Sequence, residues 1–314
     1  MYIGVDLGGT SIKIGIVDEE GNIVVKGSVP TRTKAGYETI VKDMAELINT
    51  LLSDINITIN EIKSIGIGAP GAVDNKNGIV KHLENIPMRN APVRDEMNKY
   101  FDVPVYIDND ANCAALGEFY ALDDKEIKCF VAITLGTGVG SGIIIDKKIY
   151  TGFNGVAGEF GHTSIDKNGI ECKCGRKGCW ENYASATGLI RESEKSAFEH
   201  PDSLLAKLIA DNGGKSNGKI PFDAAKADDK IAVKVVNNYI ENVSVGLVNV
   251  INILRPEIIV LGGGISYEGE YILNPIKDYV YQHVYAKECT EKTDIRIAKL
   301  RNDAGIIGAA LLGK

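Results

Sequence analysis

Three of the chain's six cysteines, Cys172, Cys174 and Cys179, lie within eight residues of one another. His162, one of four histidines, stands ten residues before the first of them. A C-x-C-x4-C run with a nearby imidazole offers three thiolates and a nitrogen, a donor set suited to tetrahedral zinc. Gly175 and Gly178 fall inside the run, where a chain bending tightly around an ion needs unusual backbone angles. Three cysteines cannot all pair with one another, and the polar, charged setting argues against simple burial of free thiols. The residue types leave the fourth donor open among His162, Asp166 and Glu171. Glu159 and Glu181 bracket the cluster, so a stapled loop would hold carboxylates and an imidazole toward a polar substrate.

A second chemistry is written in glycine. Asp6-Leu7-Gly8-Gly9-Thr10 closes an apolar run. Its glycines let backbone N–H groups approach a phosphate, and Thr10 adds a hydroxyl. Taken alone the stretch also fits an ordinary hairpin turn. Residues 133–146, ITLGTGVGSGIIID, align without gaps on residues 5–18, VDLGGTSIKIGIVD, at an offset of 128 (133 − 5). Leu7, Gly8, Ile16 and Asp18 then match Leu135, Gly136, Ile144 and Asp146. Two such units suggest two related subdomains, each aiming a phosphate-cradling hairpin at a shared cleft. Gly262-Gly263-Gly264 after another apolar run would give a flat ligand such as a purine close access to backbone, or serve as a plain turn. Asp108-Asn109-Asp110 ends a predicted strand. A carboxylate there is placed as α/β proteins place reactive groups, and by type Asp110 also suits a helix cap.

These residues need a scaffold. Apolar runs predict strands over 2–7, 12–18, 23–29, 62–68, 103–107, 258–261 and 295–300. Helical spacing predicts helices over 37–55, 92–100, 111–122, 187–198, 203–210, 229–254, 270–286 and 303–312. Residues 82–90 read as a polar loop, 211–219 as an exposed loop, and Pro70-Gly71 as a turn able to present backbone groups. The stripe Val233, Val236, Ile240, Val243, Leu247 and Val250 reads as core, with part of it suited to a subunit contact. At 314 residues the chain is expected to form two domains. A net charge of −7 argues against nonspecific nucleic-acid binding. No run reaches the ~20 apolar residues of a membrane helix, and no signal peptide is read at the start, so the expected location is the cytoplasm.

In combination these features resemble the ROK family (repressors, open reading frames, sugar kinases), most closely its ATP-dependent glucokinases. The resemblance covers essentially the whole chain. It rests on DLGGT at 6–10, GAPG at 68–71, DNDANCAALGE at 108–118, LGTGVGSG at 135–142, GEFGH at 158–162, CKCGRKGCWE at 172–181 and LGGGIS at 261–266. It implies an α/β, ribonuclease-H-like (actin/hexokinase-type) two-domain ATPase fold with ATP and sugar meeting in an interdomain cleft. The domains would be 1–118 plus 301–314, and 119–300. Asp110 matches the catalytic base. Gly68, Asn85, Asn109, Asp110, Glu159, His162 and Glu181 match sugar-binding positions. Asp6, Gly8, Gly9, Thr10, Lys13, Thr137 and Gly138 match nucleotide positions, with Gly262 and Gly263 at the adenosine. His162, Cys172, Cys174 and Cys179 match the ligands of a structural Zn²⁺.

The implied reaction is phosphorylation of a hexose, glucose above all, by ATP with Mg²⁺. Fructose, mannose or an N-acetylated hexosamine is the alternative acceptor, and a noncatalytic sugar sensor the alternative role. A homodimer or higher homo-oligomer is expected, with no nucleic-acid or membrane partner. One departure bears on the acceptor: where many family glucokinases carry Gly-Trp after the asparagine matched by Asn85, this chain has Ile86-Pro87. The family's repressor branch carries a helix-turn-helix module ahead of the kinase-like body; with DLGGT at position 6, a repressor role is not expected.

Overall fold

Tyr2–Leu7 (β1), Ser11–Val17 (β2) and Ile23–Pro30 (β3) form the antiparallel meander that the apolar runs predict. The computed structural model describes all residues except 84, 85, 87, 123–125 and 290. β1 is buried along nearly its whole length, whereas β3 alternates between half-buried and exposed residues, as an edge strand does. Tyr37–Asp54 (α1) buries Ile40, Met44, Ile48 and Leu51 on one face, the residues its helical spacing singles out. Ser64–Ala69 (β4) runs parallel to β1. Ala72–Asp74 (β5), Ile79–His82 (β6) and Arg89–Ala91 (β7) then make a separate antiparallel sheet. Both ends of the expected loop 82–90 therefore belong to strands; runs of three and four residues are too short to show a period of two. Val93–Met97 (α2) leads to Val105–Asn109 (β8), parallel to β4, and on to Asp110–Tyr120 (α3).

Cys129–Leu135 (β9), Val139–Ile145 (β10) and Lys148–Ile149 (β11) begin a second sheet. Glu181–Ala184 (α4), Ala186–Glu199 (α5), Leu204–Asp211 (α6), Ile220–Lys226 (α7) and Lys230–Leu254 (α8) follow. The sequence pattern does not predict α7: seven residues give too little periodicity, and Pro221, which suits a first helical turn, reads alone as a breaker. Nor is 211–219 uniformly exposed; Ser216 is buried, and its N–H donates to Glu194 Oε1 at 2.9 Å. On α8, Val236, Ile240, Val243, Leu247 and Val250 are buried, so most of that stripe is core. Ile258–Gly262 (β12), Glu270–His283 (α9), Asp294–Ile297 (β13) and Ala304–Leu311 (α10) complete the chain.

The two large sheets have the orders β3-β2-β1-β4-β8 and β11-β10-β9-β12-β13. Adding 128 to the bounds of β2 gives those of β10, so the short repeat in the sequence marks a repeat of sheet topology. In each sheet, one central strand enters a glycine hairpin and pairs in parallel with a later strand. Close packing divides the chain into two compact units: Met1–Lys128, Gly142–Gly158 and Lys299–Lys314 in one, Cys129–Ser141 and Glu159–Ala298 in the other.

In the first unit, Gly15, Gly4 and Gly66 stand side by side on β2, β1 and β4. A Cβ at Gly4 would lie 1.9 Å from the Ile306 carbonyl oxygen, and one at Gly66 1.8 Å from that of Ala309. The stripe is thus a seat for the backbone of α10. α3 meets α10 in the same way: a Cβ at Gly308 would lie 1.6 Å from the Cys113 carbonyl. Glu118 fixes the incoming segment, accepting the N–H groups of Lys299 and Leu300 at 2.8 Å each; burial pushes its carboxyl above the usual range. Gly66→Ala sets a side chain against backbone that no rotamer change can clear. It is expected to cost at least about 1–3 kcal/mol, read as a lowered urea midpoint at unchanged slope.

Candidate active site and metal centre

Most of the predicted site residues described in the first unit lie at or just beyond the carboxyl end of a strand, with Lys13 on β2 as the exception. Gly8, Gly9 and Thr10 follow β1, Gly68 is next to last in β4, Asn109 closes β8 and Asp110 follows it, which is where open α/β sheets bind ligands. The first hairpin is tight: Gly8 N–H donates to the Ser11 carbonyl at 3.0 Å, and a Cβ on Gly8 would lie 2.9 Å from that oxygen. Thr31 holds it from outside, its hydroxyl donating to the Gly8 carbonyl at 2.7 Å and its N–H to the Thr10 carbonyl at 2.9 Å. Sequence reasoning missed Thr31, because one buried threonine after a strand carries no local signal. Asp6, next to last in β1, has its carboxylate 3.7 Å from Lys13 Nζ. Burial pushes the Asp6 carboxyl up, against the pull of Lys13.

The cap of α3 is Asn109, not Asp110: Asn109 Oδ1 accepts the N–H groups of Ala111 at 2.8 Å and Asn112 at 3.2 Å. Asn109 Nδ2 donates to the Gly71 carbonyl at 3.1 Å, which ties the strand end to the predicted turn. Asp110 opens the first turn, one oxygen accepting from Ala111 N–H at 2.8 Å. Behind it Asp108 is buried and takes hydrogen bonds from Asn109 N–H, Asn112 Nδ2 and Asn75 Nδ2 at 2.7, 2.8 and 3.2 Å. Asp108, Asn112 and Asn75 thus brace the site; the first two sit inside the predicted motif, and Asn75 comes from a loop without a sequence cue. Asn85 lies outside the described residues.

In the second unit, Gly136 N–H donates to the Gly138 carbonyl at 3.0 Å, closing the second hairpin. Ala186 N–H donates to the Gly136 carbonyl at 2.8 Å, and the Thr187 hydroxyl to the Thr137 carbonyl at 2.7 Å, so the start of α5 holds the turn. Val139 N–H donates to Glu181 Oε2 at 3.1 Å. The triple glycine begins on the last residue of β12, Gly262. Gly263 has φ +83°, and a Cβ there would lie 2.5 Å from the Leu135 carbonyl, so this turn needs glycine on both counts.

Phe160–His162 forms a 3-10 turn entered at the exposed Glu159. A Cβ at Gly161 would lie 2.3 Å from the Val139 carbonyl, so the turn rests on the start of β10. His162 Nδ1 lies 3.7 Å from Cys172 Sγ, and Cys174 Sγ lies 3.5 Å from Cys179 Sγ. All four donor atoms are within 4.8 Å of one another. Four donors around zinc with Zn–S of about 2.3 Å would be roughly 3.8 Å apart, so the cluster has the size of a coordination tetrahedron. Of the alternatives for the fourth donor, Glu171 is exposed and pairs with Lys177 at 3.5 Å, and Asp166 accepts from Asn168 N–H; neither joins the cluster. Burial pushes the Cys179 thiol up to about 12, whereas the Arg176 N–H pulls Cys174 down. A divalent cation would reverse the first of these, since a coordinating thiol gives up its proton.

Gly175 and Gly178 have φ of +86° and +71°, as the sequence suggests, and a Cβ on Gly178 would strike the Asp166 carbonyl. Trp180 anchors the loop. It is fully buried, donates from Nε1 to the Asn242 carbonyl at 2.8 Å, and lies against Gly246 of α8.

The sequence profile of the ROK family matches residues 2–314. The glucokinase of Halalkalibacterium halodurans is 40% identical over 314 residues, which span all of this chain and 94% of that protein. The glucokinase of Thermotoga maritima is 35% identical over 313 residues, 99% of this chain and 96% of that protein. Among solved structures, a ROK family glucokinase from Streptomyces griseus in complex with glucose and AMPPNP superposes with a TM-score of 0.84 at 36% identity. That likeness covers 99% of this chain and 98% of the other.

Proposed function

The chain belongs to the ROK family, with its actin-like two-domain α/β fold, and from that premise we infer that it is a sugar kinase, transferring a phosphoryl group from ATP to glucose to give glucose 6-phosphate. The observation that carries the inference is the likeness, over nearly the full length of both chains, to a glucokinase whose structure holds glucose and AMPPNP.

Asp110 is the general base. A sugar hydroxyl is a weak acid, so the carboxylate does not ionise it beforehand; it accepts the proton as the O–P bond forms. Asn109, Glu159, His162 and Glu181 take the sugar hydroxyls, and Gly68 leaves room at the end of β4. Because Asn109 Oδ1 already caps α3, its contribution to sugar is made through the amide nitrogen or through the backbone it holds. Gly8, Gly9, Thr10, Thr137 and Gly138 give the phosphates N–H and hydroxyl donors, and Gly262 and Gly263 pass close to the adenosine. Most of the barrier reduction then comes from alignment and charge neutralisation.

Mg²⁺ accompanying the nucleotide would supply much of that neutralisation. The half-buried Asp6 suits it, since nearby positive charge relieves a carboxylate that partial burial disfavours. Zinc suits the four-donor cluster by ligand type and spacing. Its role is structural: with His162 Nδ1 on the metal side, Nε2 would face the sugar, and the metal would orient a substrate ligand. A cytoplasmic homo-oligomer is the setting we propose; among the described residues no helix is long and apolar enough to cross a membrane.

The test is a coupled ADP-release assay over glucose, mannose, fructose and N-acetylglucosamine, with metal analysis of the same sample. Glucose is expected to give the highest kcat/KM, with about one zinc per chain from a single four-ligand site. An N-acetylated acceptor outrunning glucose would move the substrate, as the altered residues after Asn85 make possible. Failure of every sugar to release ADP would end the kinase assignment.

A further inference from the structure

The second glycine hairpin and the carboxylate assigned to sugar are in direct contact. Val139 N–H donates to Glu181 Oε2 at 3.1 Å. A Cβ built on Gly138 would lie 2.2 Å from that same oxygen, 3.1 Å from Glu181 Cδ and 3.8 Å from Cγ. Its three nearest atoms all belong to the Glu181 side chain, and none is backbone. Gly138 does not have positive φ, so its backbone accepts an ordinary L-residue. What glycine secures here is therefore not a bend in the chain but the space that the Glu181 carboxylate fills.

We propose that Gly138 is a positioning residue for the sugar: its missing side chain lets Glu181 settle on the Val139 N–H, which fixes the carboxylate for a sugar hydroxyl. The inference rests on Glu181 being a sugar ligand. It assigns sugar affinity to a position that sequence pattern gives wholly to the nucleotide. With Oε2 held by the hairpin, Oε1 is the oxygen that accepts from the sugar. The hairpin has other supports, from Ala186 N–H and the Thr187 hydroxyl, so displacing Glu181 leaves the turn in place while the carboxylate swings away. The contact is also a direct mechanical link, in which movement of Glu181 on sugar binding is felt at Val139.

The experiment is calorimetric titration of glucose without nucleotide, and of AMPPNP without sugar, into Gly138→Ala, Glu181→Ala and the double variant Gly138→Ala with Glu181→Asp. Loss of a well-aimed charged hydrogen bond predicts at least about tenfold weaker glucose binding for Gly138→Ala, with AMPPNP affinity changed less. The shorter aspartate clears the new methyl group and recovers part of the loss. If Gly138→Ala binds glucose like the parent while Glu181→Ala does not, the proposal is overturned and the sugar assignment of Glu181 stands. Equal losses for glucose and AMPPNP would overturn it too, by pointing to collapse of the hairpin. If Glu181→Ala itself binds glucose normally, the premise falls. Independent of any variant, the Val139 amide resonance of the unsubstituted protein should shift when glucose alone is added; an unmoved resonance counts against the link.

Discussion

Asp110→Asn is expected to reduce kcat by about 10²–10⁴, the usual contribution of a positioned general base, while glucose affinity stays close to that of the parent. The amide keeps the shape of the carboxylate, and its oxygen can still accept from Ala111 N–H, as Asp110 Oδ1 does at 2.8 Å. What it loses is the capacity to take a proton from the sugar hydroxyl. The fold should tolerate the change, because Asn109 supplies the cap of α3. Only the favourable placement of a negative charge in the first helical turn is removed, worth about 0.3–1 kcal/mol. Single-turnover phosphoryl transfer and calorimetric glucose binding separate the two effects. Near-normal turnover would strip Asp110 of the base role, whereas lost sugar binding with a proportionate fall in rate would make it a ligand instead.

Cys174→Ala is expected to lower zinc content and glucose affinity together. Cys174 is the exposed member of the cluster, so the change removes a donor without opening a cavity in the core. Three donors hold the metal less well, and the turn carrying His162 then loses its fixed orientation. By analogy with the 10–100-fold effects of disturbing a metal's supporting contacts, the KM for glucose should rise at least about tenfold. The KM for ATP should move less. Because the Cys179 thiol is pushed up to about 12 by burial, zinc uptake releases protons, and the metal should be lost progressively as pH falls. Metal analysis across a pH series, with the thermal midpoint of the same samples, checks both statements. Full zinc occupancy in Cys174→Ala would remove that residue from the ligand set.

Much of the fold is legible where one side-chain pattern runs long enough. The meander β1–β3 comes from its apolar runs, and the amphipathic α1 and α8 from their periodicity. The offset of 128 residues predicts related halves; it maps β2 onto β10, and the two sheet orders repeat one another. What fails is short or tertiary in origin. β5, β6 and β7 have no period to show, and α7 spans under two turns. Asn109 and Asp110 are equally good caps of α3 by type, and only backbone geometry shows that Asn109 is the one. The metal cluster was visible because its donors are close in sequence. The braces of the site were not: Thr31 reaches Gly8, and Asn75 reaches Asp108, across long stretches of chain.

The seat formed by Gly4, Gly15 and Gly66 has a bearing on biosynthesis. A nascent chain emerges from the ribosome amino end first, so the β1–β4 platform is made long before α10, which lies on it. Residues 129–298 must be translated in between. Throughout that interval the platform offers a bare, side-chain-poor furrow with no native occupant, the kind of surface that invites chaperone capture or mispairing during synthesis. The second unit has all its pieces at hand by residue 298, so it can mature first, reversing the order that vectorial translation would suggest.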